Sequence, residues 1–291
     1  MPELPDLRIL ADAFTAALAG RPLEMATLKQ PLVLRGTNAE LRGLEGGVVR
    51  AVTQRGKFLE FDLGADHIVV NAMLSGRLGL AAPGAKAFSS TALVLRFGPR
   101  EGIPPGTPTA AWTTSAAWLP TDEMTVELRY RDAKKMGKVY LLPTGVERTV
   151  VGLDTSGPDA DDPALDLATW ERRIKRHNGE LANLLKNQEF IAGIGNAYSD
   201  EILWAARVAP FRKRASLAAE ESAALWQAAH EVCAWAIEEL QARVPPTFEK
   251  QARDFLRVHL HGGKPCPRCG TTLSEVSPGG FTTTWCRSCQ A

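Results

Sequence analysis

The sequence has no apolar run that could cross a membrane, because no stretch reaches the roughly 18 consecutive apolar residues that a membrane helix needs. Its first ten residues, MPELPDLRIL, also lack the basic region and following apolar region of a secretory signal. We therefore expect a cytoplasmic protein that has no membrane partner.

A large excess of either charge is missing as well, since 34 basic and 33 acidic residues give a formal net charge of +1. Residues 1–150 hold 18 basic and 15 acidic residues, and residues 171–291 hold 16 and 13, so each part carries +3. Residues 151–170 hold five acidic residues and no basic one. This distribution permits an anionic partner, but it is not the strongly basic composition of many nucleic-acid binders.

Cysteine is almost absent until the end of the chain, where four of the five cysteines occupy the last 26 residues. They form two C-x-x-C pairs separated by 16 residues, a spacing typical of a zinc ribbon. Two disulfides are the alternative, but no secretory signal accompanies them. We predict one structural Zn²⁺, because four thiolates leave no open coordination position for catalysis. The predicted ligands are Cys266, Cys269, Cys286 and Cys289, whereas Cys233 lies in an apolar helical pattern and is interpreted as a packing residue.

Length and periodicity indicate an α+β protein. A chain of 291 residues favours two domains, and a hydrophobic fraction of 45% is enough to bury a core in each. Apolar residues at helical spacing predict a helix over residues 4–19. Seven segments with β-branched or alternating apolar residues then predict an antiparallel sheet or sandwich. They are 26–36, 46–56, 57–63, 67–74, 91–98, 125–132 and 137–143.

Helical patterns return in the second half, over 168–176, 179–188, 199–208 and 217–242. We therefore predict an N-terminal β-sandwich domain over 1–150 and an acidic linker over 151–166. A helical domain over 167–257 and a zinc ribbon over 258–291 complete the chain. Residues 98–122 are rich in Pro, Gly and Thr, which predicts a long surface excursion.

The chain begins Met-Pro-Glu, which offers an unusual nucleophile. If Met1 is removed, Pro2 has a secondary α-amine, and terminal amines titrate near pH 8, so part of the population is unprotonated at neutral pH. Attack of this amine on an aldehyde carbon gives a charged iminium, which is a strong electron sink. Glu3 could move protons beside it. Because many proteins begin Met-Pro, this pattern alone is weak.

Residues 186–210 contain two glycines just before a predicted helix. Gly193 and Gly195 let the backbone turn tightly and approach a ligand, and the helix start would present N–H groups to a phosphate. The alternative is an ordinary corner between two helices with Asn196 as the N-cap. The segment alone favours this second reading.

Six segments in order make the chain resemble the formamidopyrimidine-DNA glycosylase and endonuclease VIII family of base-excision repair enzymes. The resemblance covers nearly the whole length and implies a helix-two-turn-helix domain in the helical half. The segments are MPELPD (1–6), QRGKF (54–58), MLSG (73–76), RYRDAKKMG (129–137), NQEFIAGIGNAYSDEIL (187–203) and CRSCQ (286–290).

The resemblance implies a bifunctional DNA glycosylase and abasic-site lyase that removes oxidised or otherwise damaged bases from double-stranded DNA. Pro2 would form a Schiff base at C1′ of the damaged nucleotide, Glu3 would assist with proton transfer, and β,δ-elimination would cleave the strand. Lys57 and Asn196 would contact phosphates around the lesion. We expect a nucleoid-associated monomer. The residues filling the gap left by the flipped nucleotide would be Leu74, Lys134 and Met136.

Some positions depart from the family pattern. Alignment from Cys286 places Phe281 where many relatives carry a phosphate-binding arginine, a change that removes a charge-assisted contact. Arg287 is one residue that could compensate, and we include it among the expected DNA contacts. Ala182 replaces a basic residue near the start of the helix-two-turn-helix segment. Residues 98–122 resemble an insertion.

These departures leave two further hypotheses open. The chain could bind damaged or abasic DNA without turnover, as a family member with impaired catalysis. It could also be a zinc-ribbon adaptor for protein or RNA, but that interpretation uses only the last 26 residues and leaves the ordered N-terminal matches unexplained.

Overall fold

A computed structural model describes residues 1–107, 119–243 and 251–290. It divides into two compact units. The first comprises Met1–Pro2, Asp6–Val151 and Leu240–Gln251, and the second comprises Glu3–Pro5, Gly152–Glu239 and Ala252–Ala291. Across the described part of the chain, none of the helices has the length and apolar character needed to cross a membrane.

The first unit is a β-sandwich, as the sequence predicts. One sheet has the strand order β1-β7-β8-β6 and the other has the order β2-β9-β5-β4-β3. Neighbouring strands are antiparallel, apart from the parallel pair β2–β9. The strands are β1 (Leu23–Leu28), β2 (Leu34–Arg35), β3 (Ala51–Arg55), β4 (Phe58–Asp62), β5 (His67–Asn71), β6 (Gly76–Ala81), β7 (Thr91–Phe97), β8 (Val126–Asp132) and β9 (Lys138–Leu142).

Two helices belong to this part of the chain, α1 (Leu4–Leu18) and α2 (Asn38–Gly43). The apolar face of α1 lies in the sandwich core, where the rings of Phe14 and Phe61 stack with centroids 6.1 Å apart. The predicted helix over residues 4–19 is therefore present. The short helix α2 has a Thr37–Glu40 capping box that the sequence analysis did not use.

Strand β6 was not among the predicted strands. Its sequence GRLGLA contains two glycines, which lower strand propensity. Leu78 and Leu80 nevertheless alternate toward the core and are 3% and 7% exposed. The predicted segment 26–36 also differs, because a 3₁₀ turn over Pro31–Val33 separates β1 from β2.

The buried side chain of Arg21 holds both ends of the predicted excursion 98–122. Arg21 is fully buried, and its guanidinium donates to the carbonyl oxygens of Gly98 at 3.0 Å, Thr121 at 2.7 Å and Met124. Burial lowers the pKa of Arg21. Within this excursion, residues 108–118 lie outside the described residues.

The second unit is mainly helical and ends in a small β-hairpin. Its core includes Trp170 and Phe190, whose rings meet edge to face with centroids 4.9 Å apart. Each of the four predicted helical segments overlaps a helix, and the helix that begins at Asn196 starts three residues before its predicted segment. The elements are α3 (Leu167–Ile174), α4 (Leu181–Leu185), α5 (Asn196–Ala205), α6 (Ala219–Arg243), β10 (Ser274–Val276) and β11 (Thr283–Trp285).

The acidic stretch 151–166, which the sequence predicts as a linker, contributes buried residues to the second unit. Ala160 and Leu165 are 0% and 1% exposed and belong to the core of the second unit. The acidic residues form turns and a cap, because Asp162 accepts from the backbone N–H of Ala164 and Asp166 caps α3. Their carboxylates therefore serve local backbone structure.

Candidate functional site

The start of the chain is anchored by a buried carboxylate. Glu3 is 4% exposed, and its Oε2 accepts from the backbone N–H of Gly195 at 2.6 Å. The same carboxylate accepts from Ala197 at 3.0 Å and Tyr198 at 3.3 Å, in the first turn of α5. A carboxylate at a helix N-terminus is stabilised by unpaired N–H groups and by the helix dipole.

The two glycines before α5 make room for this anchor. Gly193 has a φ of +89°, and a Cβ there would lie 2.5 Å from Cβ of Leu4, whose N–H donates to the Gly193 carbonyl. A Cβ on Gly195 would lie 2.7 Å from Cδ of Glu3. The glycines thus allow close approach, as expected. The group that approaches them is the N-terminal segment of the same chain and not a separate ligand.

The helix start differs from both readings made from the sequence. Helix α5 begins at Asn196, and its N-cap is Gly195, with no capping side chain of its own. The N–H groups considered for a phosphate are bonded to Glu3 instead. Because Pro2 precedes Glu3, this anchor also fixes where Pro2 lies. Pro2 is buried and Met1 is half-buried.

Asn196 lies at the first turn of α5 with its side chain bonded on both sides. Its Oδ1 is 3.4 Å from Nζ of Lys186, and its Nδ2 donates to the carbonyl of Thr282. Lys186 was not singled out from the sequence. It lies four residues after Ala182, which is itself 3% exposed and packs in the helical core.

Lys57 occupies the two-residue turn between β3 and β4, as the pairing of Arg55 with Phe58 shows. The turn is supported by Gln54, whose side chain donates to the carbonyl of Gly56 at 2.9 Å and accepts from Arg8 at 2.9 Å. Lys57 is half-buried, and it makes contacts of its own.

Asp132 joins the two turns that carry the predicted gap-filling residues. It is fully buried, and its Oδ1 accepts from the hydroxyl of Ser75, in the turn between β5 and β6. It also accepts from the backbone N–H of Lys134 at 3.2 Å and Gly137 at 2.7 Å, in the turn between β8 and β9. Burial opposes ionisation, but the bonds from Ser75, Gly137 and Tyr130 lower the pKa of Asp132 overall.

The side chains on these turns are largely accessible. Leu74 is 43% exposed, so it is not a core residue, and Lys134 is exposed. Met136 is half-buried. Met73 and Lys135 have positive φ values of 48° and 53°, which is uncommon away from glycine. Both turns are therefore tightly bent, as functional turns often are.

The four terminal cysteines converge into one cluster in the second unit. Their sulfur atoms all lie within 4.8 Å of one another, and the structure records the cysteines as free of disulfides. The Cys266–Cys289 and Cys269–Cys286 sulfur distances are 4.0 and 3.5 Å. Metal–sulfur bonds of about 2.3 Å in a tetrahedron give sulfur–sulfur edges of about 3.8 Å. The predicted ligand set therefore fits a tetrahedral metal ion.

Cys233 is separate from this cluster. It is fully buried in the helical core, where the sequence pattern placed it as a packing residue. Cys266 receives the indole N–H of Trp204 at 3.4 Å, and the guanidinium of Arg268 lies over the same indole at 4.0 Å. These contacts connect the cysteine cluster to helix α5.

Two buried acids on α5, which the sequence analysis did not select, hold the ribbon segment. Glu201 is 1% exposed and accepts from the backbone N–H groups of Val258 and His259 at 2.8 and 2.9 Å. Asp200 accepts from Nδ1 of His259 at 2.7 Å and from the backbone N–H of Thr284 at 3.0 Å. Burial raises the pKa of Asp200 to about 6, although the hydrogen bond from His259 opposes the rise.

The basic residues of the hairpin are arranged differently from the family pattern. Phe281, at the position where an arginine was expected, is 58% exposed. Arg287 is exposed, with its guanidinium 5.9 Å from the ring centroid of Trp285. Its contact with a phosphate stays a prediction of the family resemblance.

Three family profiles match successive parts of the chain. They are the formamidopyrimidine-DNA glycosylase N-terminal domain over residues 1–139, the formamidopyrimidine-DNA glycosylase H2TH domain over 156–244 and the zinc finger found in FPG and IleRS over 263–291. The β-sandwich, the helix-two-turn-helix fold and the four-cysteine finger define a base-excision DNA glycosylase of the zinc-finger class.

Relatives match over the full length. A formamidopyrimidine-DNA glycosylase of Moorella thermoacetica is 30% identical over 284 residues, covering 95% of this chain and 94% of the relative. One from Lactobacillus delbrueckii is 27% identical over 296 residues, covering 100% and 99%. The chain belongs to the formamidopyrimidine-DNA glycosylase family.

Solved structures share the fold. The MutM (Fpg) protein of Thermus thermophilus superposes with a TM-score of 0.77 at 26% identity, covering 99% of this chain and 98% of the other. A complex of Lactococcus lactis Fpg with DNA containing an abasic site gives a TM-score of 0.81 at 21% identity, with 99% of each chain covered.

Replacing Gly195 by alanine tests the N-terminal anchor. The added Cβ would displace the Glu3 carboxylate from its backbone donors, and the loss of these charge-assisted bonds should lower the free energy of unfolding by about 3 kcal/mol. Urea unfolding measures the change, and hydrogen exchange at Ala197 and Tyr198 should accelerate. Gly43→Ala is the control, because a Cβ there meets no atom within 4 Å. Equal stabilities of the two variants would contradict the anchor.

Asp200→Asn tests the buried carboxyl through pH. Its folded pKa of about 6 lies above its ordinary 3.8, so folding disfavours the ionised form. The contribution of Asp200 to the free energy of unfolding is therefore fully present below pH 4. It is lost as the pH rises to about 6, and the loss is at most about 3 kcal/mol. Relative to Asp200→Asn, the wild type should lose stability between pH 4 and 7 in urea unfolding. The control variant Asp254→Asn, at an exposed position, should show the same pH dependence of stability as the wild type. If the stability of Asp200→Asn also changes with pH as the wild type does, Asp200 does not have a raised pKa.

Proposed function

We propose that the chain is a bifunctional DNA glycosylase and abasic-site lyase that removes oxidised or otherwise damaged bases from double-stranded DNA. The observation that carries this proposal is the Glu3 carboxylate bound to the first turn of α5, which holds the adjoining Pro2 in a defined place. An N-terminal proline fixed in this way suits a nucleophile whose position matters.

The reaction uses the α-amine of Pro2 after removal of Met1. The nitrogen attacks C1′ of the damaged nucleotide, the glycosidic bond breaks, and the base leaves with a proton. The ring oxygen then accepts a proton as the sugar opens, which leaves an iminium between Pro2 and C1′. Glu3 adjoins Pro2 and assists these proton transfers.

Strand cleavage follows from the electron demand of the iminium. It acidifies the neighbouring sugar hydrogens, so a proton leaves and the 3′-phosphate departs by β-elimination. The conjugated product then loses the 5′-phosphate by δ-elimination. Hydrolysis of the remaining imine returns Pro2 as a free amine. The sequence consists of nucleophilic attack, departure of the base and of two phosphates, proton transfers and hydrolysis by water, so the oxidation states balance without an added oxidant or reductant.

Residues of each unit are expected to contact the DNA partner. In the first unit, Lys57 contacts a phosphate, and Leu74, Lys134 and Met136 fill the gap left by the flipped nucleotide. The exposure of Leu74 and the turns joined by Asp132 support that role. In the second unit, Asn196 and Arg287 contact phosphates. We propose that the protein acts as a nucleoid-associated monomer.

The cysteine cluster would hold one structural zinc ion. All four ligands are thiolates, which leaves no coordination position for a substrate. The ion would fix the ribbon beside α5, where Trp204 and the carboxylates of Asp200 and Glu201 already make contacts. Zinc would therefore contribute to stability and DNA binding without taking part in the reaction.

A second candidate function is binding of damaged or abasic DNA without turnover. Two features favour it, the exposed Phe281 and the buried Ala182, because the family resemblance predicts basic residues at both positions. Both changes weaken phosphate contacts and leave the N-terminal anchor intact. This alternative predicts duplex affinity that falls with salt but no strand cleavage.

Borohydride trapping separates the two functions. A duplex with an abasic site or a damaged base should give a covalent complex with the wild type, because borohydride reduces the iminium to a stable amine. Pro2→Gly should lose the complex, whereas Pro5→Ala, which changes the next proline along the chain, should retain it. Mass spectrometry of the purified N-terminus establishes whether Met1 has been removed. Salt-sensitive binding without trapping on any lesion would favour the second function.

Zinc is tested by metal analysis and thermal unfolding. The purified chain should contain about one zinc ion per molecule, and removal of the ion by a chelator should lower Tm, because the ribbon is too small to fold without it. Cys286→Ser should lose the metal, while Cys233→Ala should keep it. An unchanged Tm after complete metal removal would argue against a structural role.

A further inference from the structure

The first unit contains a second candidate site on the outer face of its four-stranded sheet. Alternate residues of a strand share a face, so Arg77 and Gly79 of β6 lie beside their register partners Arg131 and Arg129 of β8. Leu78 and Leu80 point the other way, into the core. The resulting pocket has a volume of about 350 Å³. We call it the β6–β8 pocket, and its further lining includes Lys86, Phe88 and Thr91.

The charged residues that line the β6–β8 pocket are basic, although Glu127 beside it forms an ion pair with Arg129. Four cationic side chains line it, Arg77, Lys86, Arg129 and Arg131, and none of the described lining residues is acidic. Arg77 and Arg131 are also direct cross-strand partners, an arrangement that is unfavourable for like charges. A bound anion would interact favourably with both guanidinium groups.

Arg129 contacts both the sheet and the segment between β6 and β7. Its guanidinium forms an ion pair with Glu127 at 2.6 Å and donates to the carbonyls of Ala85 and Lys86 at 2.8 and 3.3 Å. These bonds hold the segment between β6 and β7 against the sheet. Lys86 and Phe88 are thereby kept at the rim of the pocket.

A buried hydroxyl lies in the same pocket. Thr91 is 2% exposed, and its Oγ1 has no hydrogen-bond partner among the described residues. A buried hydroxyl without a partner costs stability, and such a group calls for an explanation in a folded protein. Because Thr91 lines the pocket, a ligand with a polar atom there would supply the missing bond.

The rim provides a flat apolar surface. Phe88 is 51% exposed, and the guanidinium of Arg131 lies 4.5 Å from its ring centroid. An exposed aromatic ring next to cationic groups is the combination that binds a nucleobase by stacking and its phosphate by charge. Gly79 and Ala81 also line the pocket and add no side chain larger than a methyl group.

We propose that the β6–β8 pocket binds one nucleotide, with its base on Phe88 and its phosphate against Lys86 and the arginines. The volume lies at the lower end of the roughly 300–1,000 Å³ typical of small-ligand sites, as expected for a ligand of this size. The nucleotide comes either from solution or from the phosphorylated end of a DNA strand. This binding is separate from the glycosylase chemistry and does not require Pro2.

Calorimetric titration of the full chain tests the proposal. The probes are deoxyadenosine 5′-monophosphate, a 5′-phosphorylated tetranucleotide, deoxyadenosine and inorganic phosphate. The first two should show saturable binding, and the last two should bind at least about tenfold more weakly, because each lacks one of the two contacts. A tetranucleotide that binds more tightly than the mononucleotide identifies a strand end as the source, and the reverse identifies the free nucleotide.

Three variants locate the binding. Phe88→Leu should weaken nucleotide binding by about tenfold, the expected size of one stacking contact. Lys86→Gln should weaken it by about threefold to tenfold, whereas Lys29→Gln, at another exposed lysine of this unit, should leave it unchanged. Trapping on abasic DNA in the Phe88→Leu and Lys86→Gln variants should remain as in the wild type.

The Thr91→Val variant separates a role of Thr91 in nucleotide binding from a purely structural role. It keeps the shape of the side chain and removes the unpartnered hydroxyl, so Tm should rise by about 2 °C while nucleotide binding weakens. Absence of saturable mononucleotide and tetranucleotide binding would overturn the proposal. Equal binding of inorganic phosphate, or binding unchanged in both Phe88→Leu and Thr91→Val, would also overturn it.

Discussion

The carboxylate of Glu3, bonded to three backbone N–H groups at the start of α5, is the contact on which the candidate site depends. It satisfies donors that a helix start cannot pair for itself, and it does so with the residue that directly follows the proline. The third residue of the chain thereby acts as the cap of a helix nearly two hundred residues later. The absence of a Cβ at Gly193 and Gly195 allows that residue to approach.

Buried carboxylates play the same part elsewhere in the molecule. Asp132 accepts from donors in two turns, and Asp200 and Glu201 accept from the backbone of the ribbon segment. A carboxylate can accept several hydrogen bonds at once, so one side chain can fix two loops that share no strand. Loops carrying functional side chains need this support, because a loop backbone has few bonds of its own.

The sandwich and its helix were predictable because burial on one face imposes a period on the sequence. The four cysteines were predictable because tetrahedral coordination requires a definite spacing. Strand β6 was missed because two glycines remove the pattern that marks a strand, although Leu78 and Leu80 still point inward. The burial of Ala160 and Leu165 within the predicted acidic linker 151–166 could not be inferred from its composition, because it depends on the turns that the acidic residues form.

Local chemistry along the chain was determined by the sequence alone: the period of the apolar residues, the cysteine pairs, and a proline and a glutamate at the start. Such features depend on neighbours in the chain. Tertiary structure decided which distant groups meet, including Glu3 with the start of α5 and Thr91 with four cationic side chains in one pocket. These contacts depend on how strands align and how close two backbones can come. No spacing in the sequence encodes that distance, so they became visible only in the folded chain.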